Sequence, residues 1–254
     1  MKKLLLTLLA LLCFAMAAPS AWAADTAICY NCPPMWADWA SQLQAIEDNL
    51  GISMPHDNKN SGQTLSQLIA EKDNPVADVA YYGVSFGIKA KEEGVVQAYK
   101  PQHWEDIPAG LKDDDRYWFT IPKQTSYARV ISGEIPILFD YDFNAYRGKY
   151  KDQANIEFVI PAEGSIVVPY VMSLVKDCPH PEKGKKILDF IMSDTGQAVW
   201  ANAFLRPVRP KALTPETAAK FLPDSEYQRA KPIDYKKMAE VQNTFRDRYL
   251  AEVR

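Results

Sequence analysis

The chain has 254 residues with 29 basic and 32 acidic side chains, which gives a formal net charge of −3 at pH 7. This balance excludes the basic surface that nucleic-acid binding requires. A chain of this length suits one large domain or two smaller lobes, and it can bury a core without disulfides.

Residues 1–23 predict a secretory signal. Lys2 and Lys3 form a basic start, residues 4–17 form an apolar run, and Ala21-Trp22-Ala23 is a small-x-small cleavage site. The apolar run is shorter than the roughly 20 residues that a spanning helix needs, and no later stretch predicts such a helix. We therefore expect an exported, periplasmic protein, and loss of the two lysines lowers its net charge from −3 to −5.

Three cysteines follow the signal. Cys29-x-x-Cys32 is either a redox pair or a local structural disulfide, and no thioredoxin-like pattern surrounds it, which favours the structural interpretation. Cys178 is predicted to be a free thiol, buried or partly exposed.

The first hundred residues predict three strand–turn–helix units. The predicted strands are 26–30, 52–55 and 76–82; the first helix ends at Gly51, the second is capped at Asn60, and the third covers 88–93 after a turn at 83–87. Three such units imply right-handed crossovers and one parallel sheet. Ligands of open α/β sheets bind outside the carboxyl ends of the strands.

Polar side chains follow the predicted strands at that edge. The residues expected there are Tyr30, Asn31, Ser61, Tyr82 and Ser85. Backbone N–H groups at a helix start suit an anion or a polar ligand group. An ordinary helix cap is the simpler interpretation of Ser61 alone, so the predicted site depends on several turns converging.

The second half predicts shorter elements. A polar loop at 101–116 precedes strand 117–121, helix 124–131, strand 135–139 and a helix over 143–150. Extended segments at 156–160 and 166–175 precede helices at 185–193 and 195–204, and Met238, Val241, Phe245 and Tyr249 mark a last amphipathic helix. Asp140-Tyr141-Asp142 ends the 135–139 strand; its carboxylates either cap the next helix or contact a cationic or hydroxyl-rich ligand.

Gly83-x-Ser85-x-Gly87 matches the nucleophile elbow of an α/β-hydrolase and lies between a predicted strand and helix. His180 follows Asp142, so the chain order of a triad is not forbidden, but no His-Gly-Gly-Gly oxyanion loop is present. Zinc-site spacing, a phosphate-binding loop and a dinucleotide fingerprint are also missing. The sequence therefore predicts no metal site and no cofactor.

Five ordered stretches resemble the periplasmic solute-binding proteins of ABC importers, in the ferric-, polyamine- and thiamine-binding group. These are Pro75-Val76-Ala77-Asp78-Val79, Lys91-Glu92-Glu93-Gly94-Val95-Val96, Ser132-Gly133-Glu134-Ile135-Pro136, Ile160-Pro161-Ala162-Glu163-Gly164, and the run from Lys186 to Gln197. They span most of the chain after the signal, in the family's order.

The resemblance implies an α/β fold of the two-lobe, type 2 periplasmic-binding-protein kind, with hinge strands between the lobes. Lobe one would be 24–118 and 166–203, and lobe two would be 119–165 and 204–254. Lobe two is expected to be shortened by on the order of 100 residues, against the size of two full lobes. Ferric-binding relatives use adjacent tyrosines where this chain has Tyr141-Asp142, so iron is not the first expected solute.

The sequence thus predicts the periplasmic substrate-binding component of an ABC transporter, a monomer without enzymatic activity that captures a small polar or cationic solute. Its partner would be an ABC permease in the inner membrane. The predicted contacts are Tyr30, Asn31, Ser61, Tyr82, Ser85, Ser126, Tyr141 and Asp142. The alternatives are a secreted α/β serine hydrolase using Ser85, or a truncated remnant that binds nothing.

Overall fold

The computed structural model describes residues 25–34, 38–121, 137–209, 211 and 213–252. The α-helices in this part of the chain are α1 (Trp39–Leu50), α2 (Ser61–Ala70), α3 (Val84–Glu92), α4 (Asp142–Tyr150), α5 (Pro181–Met192), α6 (Asp194–Asn202), α7 (Pro215–Ala218), α8 (Asp224–Tyr227) and α9 (Tyr235–Glu252). A short 3-10 helix covers Trp104–Asp106.

The strands of the described residues are β1 (Asp25–Thr26), β2 (Cys29–Tyr30), β3 (Ile52–Ser53), β4 (Val79–Gly83), β5 (Val96–Gln97), β6 (Phe119–Ile121), β7 (Ser165–Ile166), β8 (Tyr170–Val175) and β9 (Ala230–Lys231). The main sheet runs β2-β4-β8-β5, and β6 also pairs with β8. β2 and β4 are parallel, whereas β8 is antiparallel to β4, β5 and β6. Strands β1 and β3 pair in parallel beside β2.

Successive side chains of β4 point to opposite faces of the sheet, and helices pack against both faces. Tyr81 meets the edge of Trp39 from α1, with ring centroids 5.3 Å apart, and Trp39 in turn meets Trp200 from α6 at 5.1 Å. On the opposite face, α3 packs over Tyr82: a Cβ at Gly87 would lie 2.7 Å from the Val171 side chain. Gly87 is therefore needed for the close approach of α3 to the sheet.

Local capping sets the ends of several helices, at Asn60 and Gly51 as the sequence predicts. Asn60 accepts a hydrogen bond from the Gln63 backbone N–H while the Gln63 side chain accepts from the Asn60 N–H, which is a capping box. Gly51 ends α1 in the left-handed conformation at φ 67°. The Ser193 hydroxyl accepts from the Gly196 N–H at the start of α6.

The buried carboxylate of Asp78 forms hydrogen bonds that join three segments at the amino end of β4. Asp78 is fully buried and accepts hydrogen bonds from the Ile28 N–H and the His180 N–H, both at 2.7 Å. The His180 ring nitrogen Nδ1 lies 3.2 Å from the same carboxylate. Asp78 thus joins the segment before β2 and the start of α5 to β4.

A second, aromatic cluster surrounds α4. The Tyr146 hydroxyl lies 2.6 Å from the Tyr227 hydroxyl and accepts from the Leu222 N–H. The rings of Phe158 and Phe221 meet Tyr146 edge-on at 5.2 and 5.3 Å. Strands β7 and β9 pair in parallel beside this cluster.

The structure corrects four details of the sequence prediction. The sheet is mixed rather than parallel, because β8, which returns from far along the chain, lies antiparallel between β4 and β5. Helix α3 starts at Val84, directly after β4, without the predicted turn at 83–87. Residues 137–139 are exposed and form no strand.

The fourth correction concerns α9. The predicted apolar stripe is exposed, with Phe245 68% and Tyr249 47% accessible, because the helix packs through another face that buries Ala239. The predicted signal and the helix predicted at 124–131 lie outside the described residues. None of the helices described has both the length and the apolar character needed to cross a bilayer.

Candidate functional site

The candidate site lies where β2 and β4 end side by side. Asn31 follows β2 in the left-handed conformation, at φ 65°. Its side-chain Nδ2 donates to the Tyr81 carbonyl at 2.8 Å, and its backbone N–H donates to the Asp57 carboxylate at 3.0 Å. These bonds fix the Asn31 side chain beside β4.

Two serines approach the end of β4 from the starts of α2 and α3. The Ser61 Oγ accepts from the Gly83 N–H at 3.1 Å. Ser85 lies in the first turn of α3, and only 8% of the residue is exposed. Gly83, the cap residue of α3, has no side chain to cap the helix, and the Val84 N–H at its start donates to the Pro169 carbonyl at 3.2 Å.

Tyr170 connects this edge to the second part of the chain. In the sheet it pairs with Gly83 of β4 on one side and with Ile121 of β6 on the other. Its ring stacks on Tyr81 with centroids 5.3 Å apart, and the Tyr141 phenol is near enough to influence its pKa. The structure therefore brings Tyr141 to the same edge as Ser61 and Gly83.

Burial and neighbouring groups keep the Tyr141 phenol protonated. Its pKa is raised above the ordinary value, first by burial and then by Tyr170 and the Asp140 carboxylate. Burial also raises the pKa of Tyr170, while the neighbouring Tyr141 phenol lowers it. Both phenols are therefore neutral hydrogen-bonding groups at physiological pH.

Asp140 and Asp142 have different environments. The Asp140 carboxylate accepts from the Tyr141 N–H at 2.7 Å and from the Asn144 side chain at 3.1 Å. Its hydrogen bonds are therefore made to groups at the start of α4. Asp142 is the first residue of α4 and is half-buried. Its negative charge raises the pKa of Tyr227, after the larger effect of burial.

The other predicted contacts lie elsewhere. The Tyr30 hydroxyl donates to the Glu71 carboxylate at 2.9 Å, beyond the C-terminal end of α2. Tyr82 is fully buried under α3, and its hydroxyl faces that of Ser173. Burial raises the pKa of both phenols. Ser126 lies outside the described residues.

The geometry does not assemble a triad from Ser85 and His180. His180 is bonded to Asp78 at the amino end of β4, whereas Ser85 follows its carboxyl end. Five strand residues separate the two ends by about 17 Å, far beyond the reach of a hydrogen bond. Gly87, the last position of the elbow pattern, is explained by packing of α3 on Val171.

Two of the cysteines after residue 24 form a disulfide, and the third is a thiol. Cys29 and Cys32 are joined and flank Asn31, so the bridge closes the loop that carries this side chain. Cys178 is buried and free. Burial, followed by the charge of Asp78, raises its pKa to about 11, so it is protonated at neutral pH.

Comparisons with known proteins concern the family and the fold. Residues 119–241 match the model of the family described as bacterial extracellular solute-binding protein. A probable ABC transporter periplasmic-binding protein from Sinorhizobium fredii, y4fP, is 33% identical over 100 residues, which cover 37% of this chain and 28% of that protein. Residues 119–241 are therefore similar to this family of solute-binding proteins.

Solved structures show the same fold for nearly the whole chain. Iron-bound HitA from Pseudomonas aeruginosa has a TM-score of 0.73 at 16% identity, covering 88% of this chain and 99% of HitA. AfuA from Actinobacillus pleuropneumoniae, with fructose-6-phosphate bound, has a TM-score of 0.67 at 17% identity over 91% of this chain and 99% of AfuA. The predicted two-lobe solute-binding-protein fold is thereby confirmed, and the hydrolase alternative is not favoured.

Sequence reasoning missed Tyr170 and the Gly83 N–H. Tyr170 begins a strand directly after Pro169, which is a local signal, but its place between Gly83 and Ile121 depends on strand pairing across the chain. The Gly83 N–H is included in the candidate site because it donates a hydrogen bond to the Ser61 hydroxyl.

Proposed function

We propose that this protein is the periplasmic substrate-binding component of an ABC transporter and captures a small polar or cationic solute for import. The observation that carries the proposal is the convergence of Asn31, Ser61, Ser85 and Tyr141 around the paired residues Gly83 and Tyr170. Such a set of amide, hydroxyl and phenol groups binds by hydrogen bonds and leaves the solute unchanged.

The chemistry of these groups supports a solute rich in hydroxyl groups or carrying a small charged group. Ser61 and Ser85 supply hydroxyl groups, Asn31 supplies an amide, and Asp142 supplies a carboxylate for a cationic or hydroxyl group. The bound ligands named for the two structural relatives, iron and fructose-6-phosphate, differ widely in chemistry. Asp142 stands where ferric-binding relatives have a second adjacent tyrosine, which favours a hydrogen-bonding solute over ferric iron.

The division into lobes is part of the same proposal. Lobe one comprises 24–118 and 166–203, and its support is the main sheet, in which β8 lies between β4 and β5. Lobe two comprises 119–165 and 204–254 and is shortened; its support is the aromatic cluster around Tyr146. Helix α9 nevertheless returns to pack against α3 of lobe one. The partner of a monomeric binding protein of this kind is an inner-membrane ABC permease.

Native mass spectrometry of the protein purified from its own periplasm tests the function directly. We expect a bound small molecule, whose occupancy falls in Ser61→Ala because the variant loses the hydroxyl next to Gly83. Ser41→Ala is the matched control, since Ser41 is exposed on α1. The proposal fails if wild-type protein carries no small molecule and melts at the same temperature with and without polyamines, thiamine, sugar phosphates and ferric citrate.

A parallel assay separates binding from catalysis. We expect no hydrolysis of p-nitrophenyl acetate above the Ser85→Ala background, since His180 lies at the far end of β4. Turnover that depends on Ser85 would instead support the hydrolase alternative.

A further inference from the structure

Asn31 occupies the position that determines the shape of the turn after β2. Cys29 and Cys32 are the ends of this four-residue turn, with their Cα atoms 5.9 Å apart, and Asn31 is its third residue, at φ 65°. A positive φ at the third residue characterises a type II turn, whereas a type I turn has a negative φ there. The two turns differ in the orientation of the peptide between the second and third residues, here Tyr30 and Asn31.

The disulfide by itself does not choose between these two turns. It holds the ends of the turn together, but the end Cα atoms lie less than about 7 Å apart in both turn types. The orientation of the Asn31 N–H differs between them, so its hydrogen-bond partner favours one over the other. That partner is the Asp57 carboxylate, whose Oδ1 accepts from the Asn31 N–H at 3.0 Å.

Asp57 is held in place on the segment between β3 and α2. Its Oδ1 also accepts from the backbone N–H of Lys59 at 3.3 Å, and its Oδ2 pairs with the Lys59 ammonium group. The same ammonium group lies over the Tyr30 ring, 4.4 Å from the ring centroid, which is within the range of a cation–π contact. The carboxylate that accepts from the turn therefore has a fixed position next to β2.

The conformation of the turn also determines where the Asn31 side chain lies. Asn31 is only 7% exposed, and its Nδ2 donates to the Tyr81 carbonyl at 2.8 Å. Two residues further along β4, the Gly83 N–H donates to the Ser61 hydroxyl. The turn after β2 thus places the Asn31 amide on the part of β4 that leads to Ser61.

We infer that Asp57 is the positioning residue for Asn31: its carboxylate stabilises the turn with the positive φ and thereby holds the Asn31 side chain on β4. A solute that contacts Asn31 therefore depends on Asp57 without touching it. This last step rests on the proposed function, whereas the effect of Asp57 on the turn does not.

Asp57→Ala tests the positioning, because it removes the acceptor and leaves the disulfide in place. In NMR spectra of protein with ¹⁵N-labelled asparagine, the Asn31 signals are assigned by their loss in Asn31→Gly. We expect the Asn31 backbone proton to move upfield in Asp57→Ala and to exchange with solvent at least about tenfold faster, because a hydrogen bond to a charged group is lost. The side-chain NH₂ signal should also move, because the bond to the Tyr81 carbonyl weakens. Asp48→Ala is the matched control: it removes an exposed carboxylate that accepts from the Gln44 side chain at 2.9 Å, and it should change neither signal.

Unchanged Asn31 signals in a folded Asp57→Ala protein would overturn the inference. If that variant does not fold, Asp57→Asn decides, because a neutral amide forms a weaker hydrogen bond than a carboxylate does. The Asn31 backbone proton must then still move upfield, and no movement would also overturn the inference. These measurements need no ligand.

Native mass spectrometry of the same variants tests the link to binding. If a small molecule is purified with the wild-type protein, its affinity for Asp57→Ala should fall in proportion to the fraction of molecules that keep the positive φ at Asn31. Unchanged occupancy in a variant whose Asn31 signals have moved would overturn this link. A wild-type protein that carries no solute but shows the expected NMR changes would retain the positioning and lose the proposed function.

Discussion

Replacing Asp78 with asparagine should destabilise the protein strongly without touching the candidate site. The fully buried carboxylate accepts from two backbone N–H groups at 2.7 Å. An asparagine keeps one oxygen and places an NH₂ group against the other donor. Loss of one hydrogen bond to a charged group costs about 1.5–3 kcal/mol, and the buried donor that is left unpaired adds about 1–3 kcal/mol.

Removing a buried charge recovers part of this free energy, so we expect a net loss of about 2–4 kcal/mol. This is a large fraction of the roughly 5–15 kcal/mol by which proteins are stable. Urea unfolding followed by circular dichroism measures the loss, and thermal unfolding should show a midpoint lower by about 4–16 °C.

Asp189→Asn is the matched control for this experiment. Asp189 also accepts two hydrogen bonds, from the Tyr99 hydroxyl at 2.7 Å and the Gln102 N–H at 2.8 Å, but it is half-exposed. Water can replace the lost acceptor there, so its cost should stay below about 1 kcal/mol. Equal losses in the two variants would refute the argument that burial of Asp78 sets the cost.

Three further outcomes follow from local contacts. Cys29→Ala/Cys32→Ala should lower the free energy of unfolding by about 2 kcal/mol, the loop-closure value for a four-residue ring; equal urea midpoints for the variant and the oxidised wild type would contradict this. Iodoacetamide at pH 8 should leave Cys178 unmodified in the native protein and alkylate it in urea, as followed by mass spectrometry, because its pKa is raised to about 11. Asn60→Ala removes the acceptor of the Gln63 N–H and should cost about 1 kcal/mol in thermal unfolding; a change below about 0.3 kcal/mol would contradict the capping box.

The raised pKa of Cys178 also makes the free energy of unfolding depend on pH. The folded-state pKa of Cys178 lies above the ordinary thiol value, so the folded state holds its proton to higher pH than the unfolded state does. The corresponding stability is present below the unfolded pKa and is lost as pH rises towards about 11. Cys178→Ala should flatten the fall in unfolding free energy between pH 8.5 and pH 11, measured in urea.

The sequence alone determined the features that depend on near neighbours in the chain. Asn60 and Gly51 set helix ends through contacts within a few residues, and the strand that ends at Gly83 follows from its apolar run. The ordered stretches also indicated the family and the two-lobe fold. These features were predictable because caps, periodicity and turn chemistry act over one or two helical turns.

Only the tertiary structure decided which side chains meet. The antiparallel strand β8 pairs with β4 across almost ninety residues of chain, and this pairing brings Tyr170 beside Gly83. The same long-range packing turns the Tyr30 hydroxyl towards Glu71 and buries Tyr82 under α3. The orientation of a strand and the face that a helix buries depend on contacts with residues far away in the chain. A local sequence pattern therefore does not predict them.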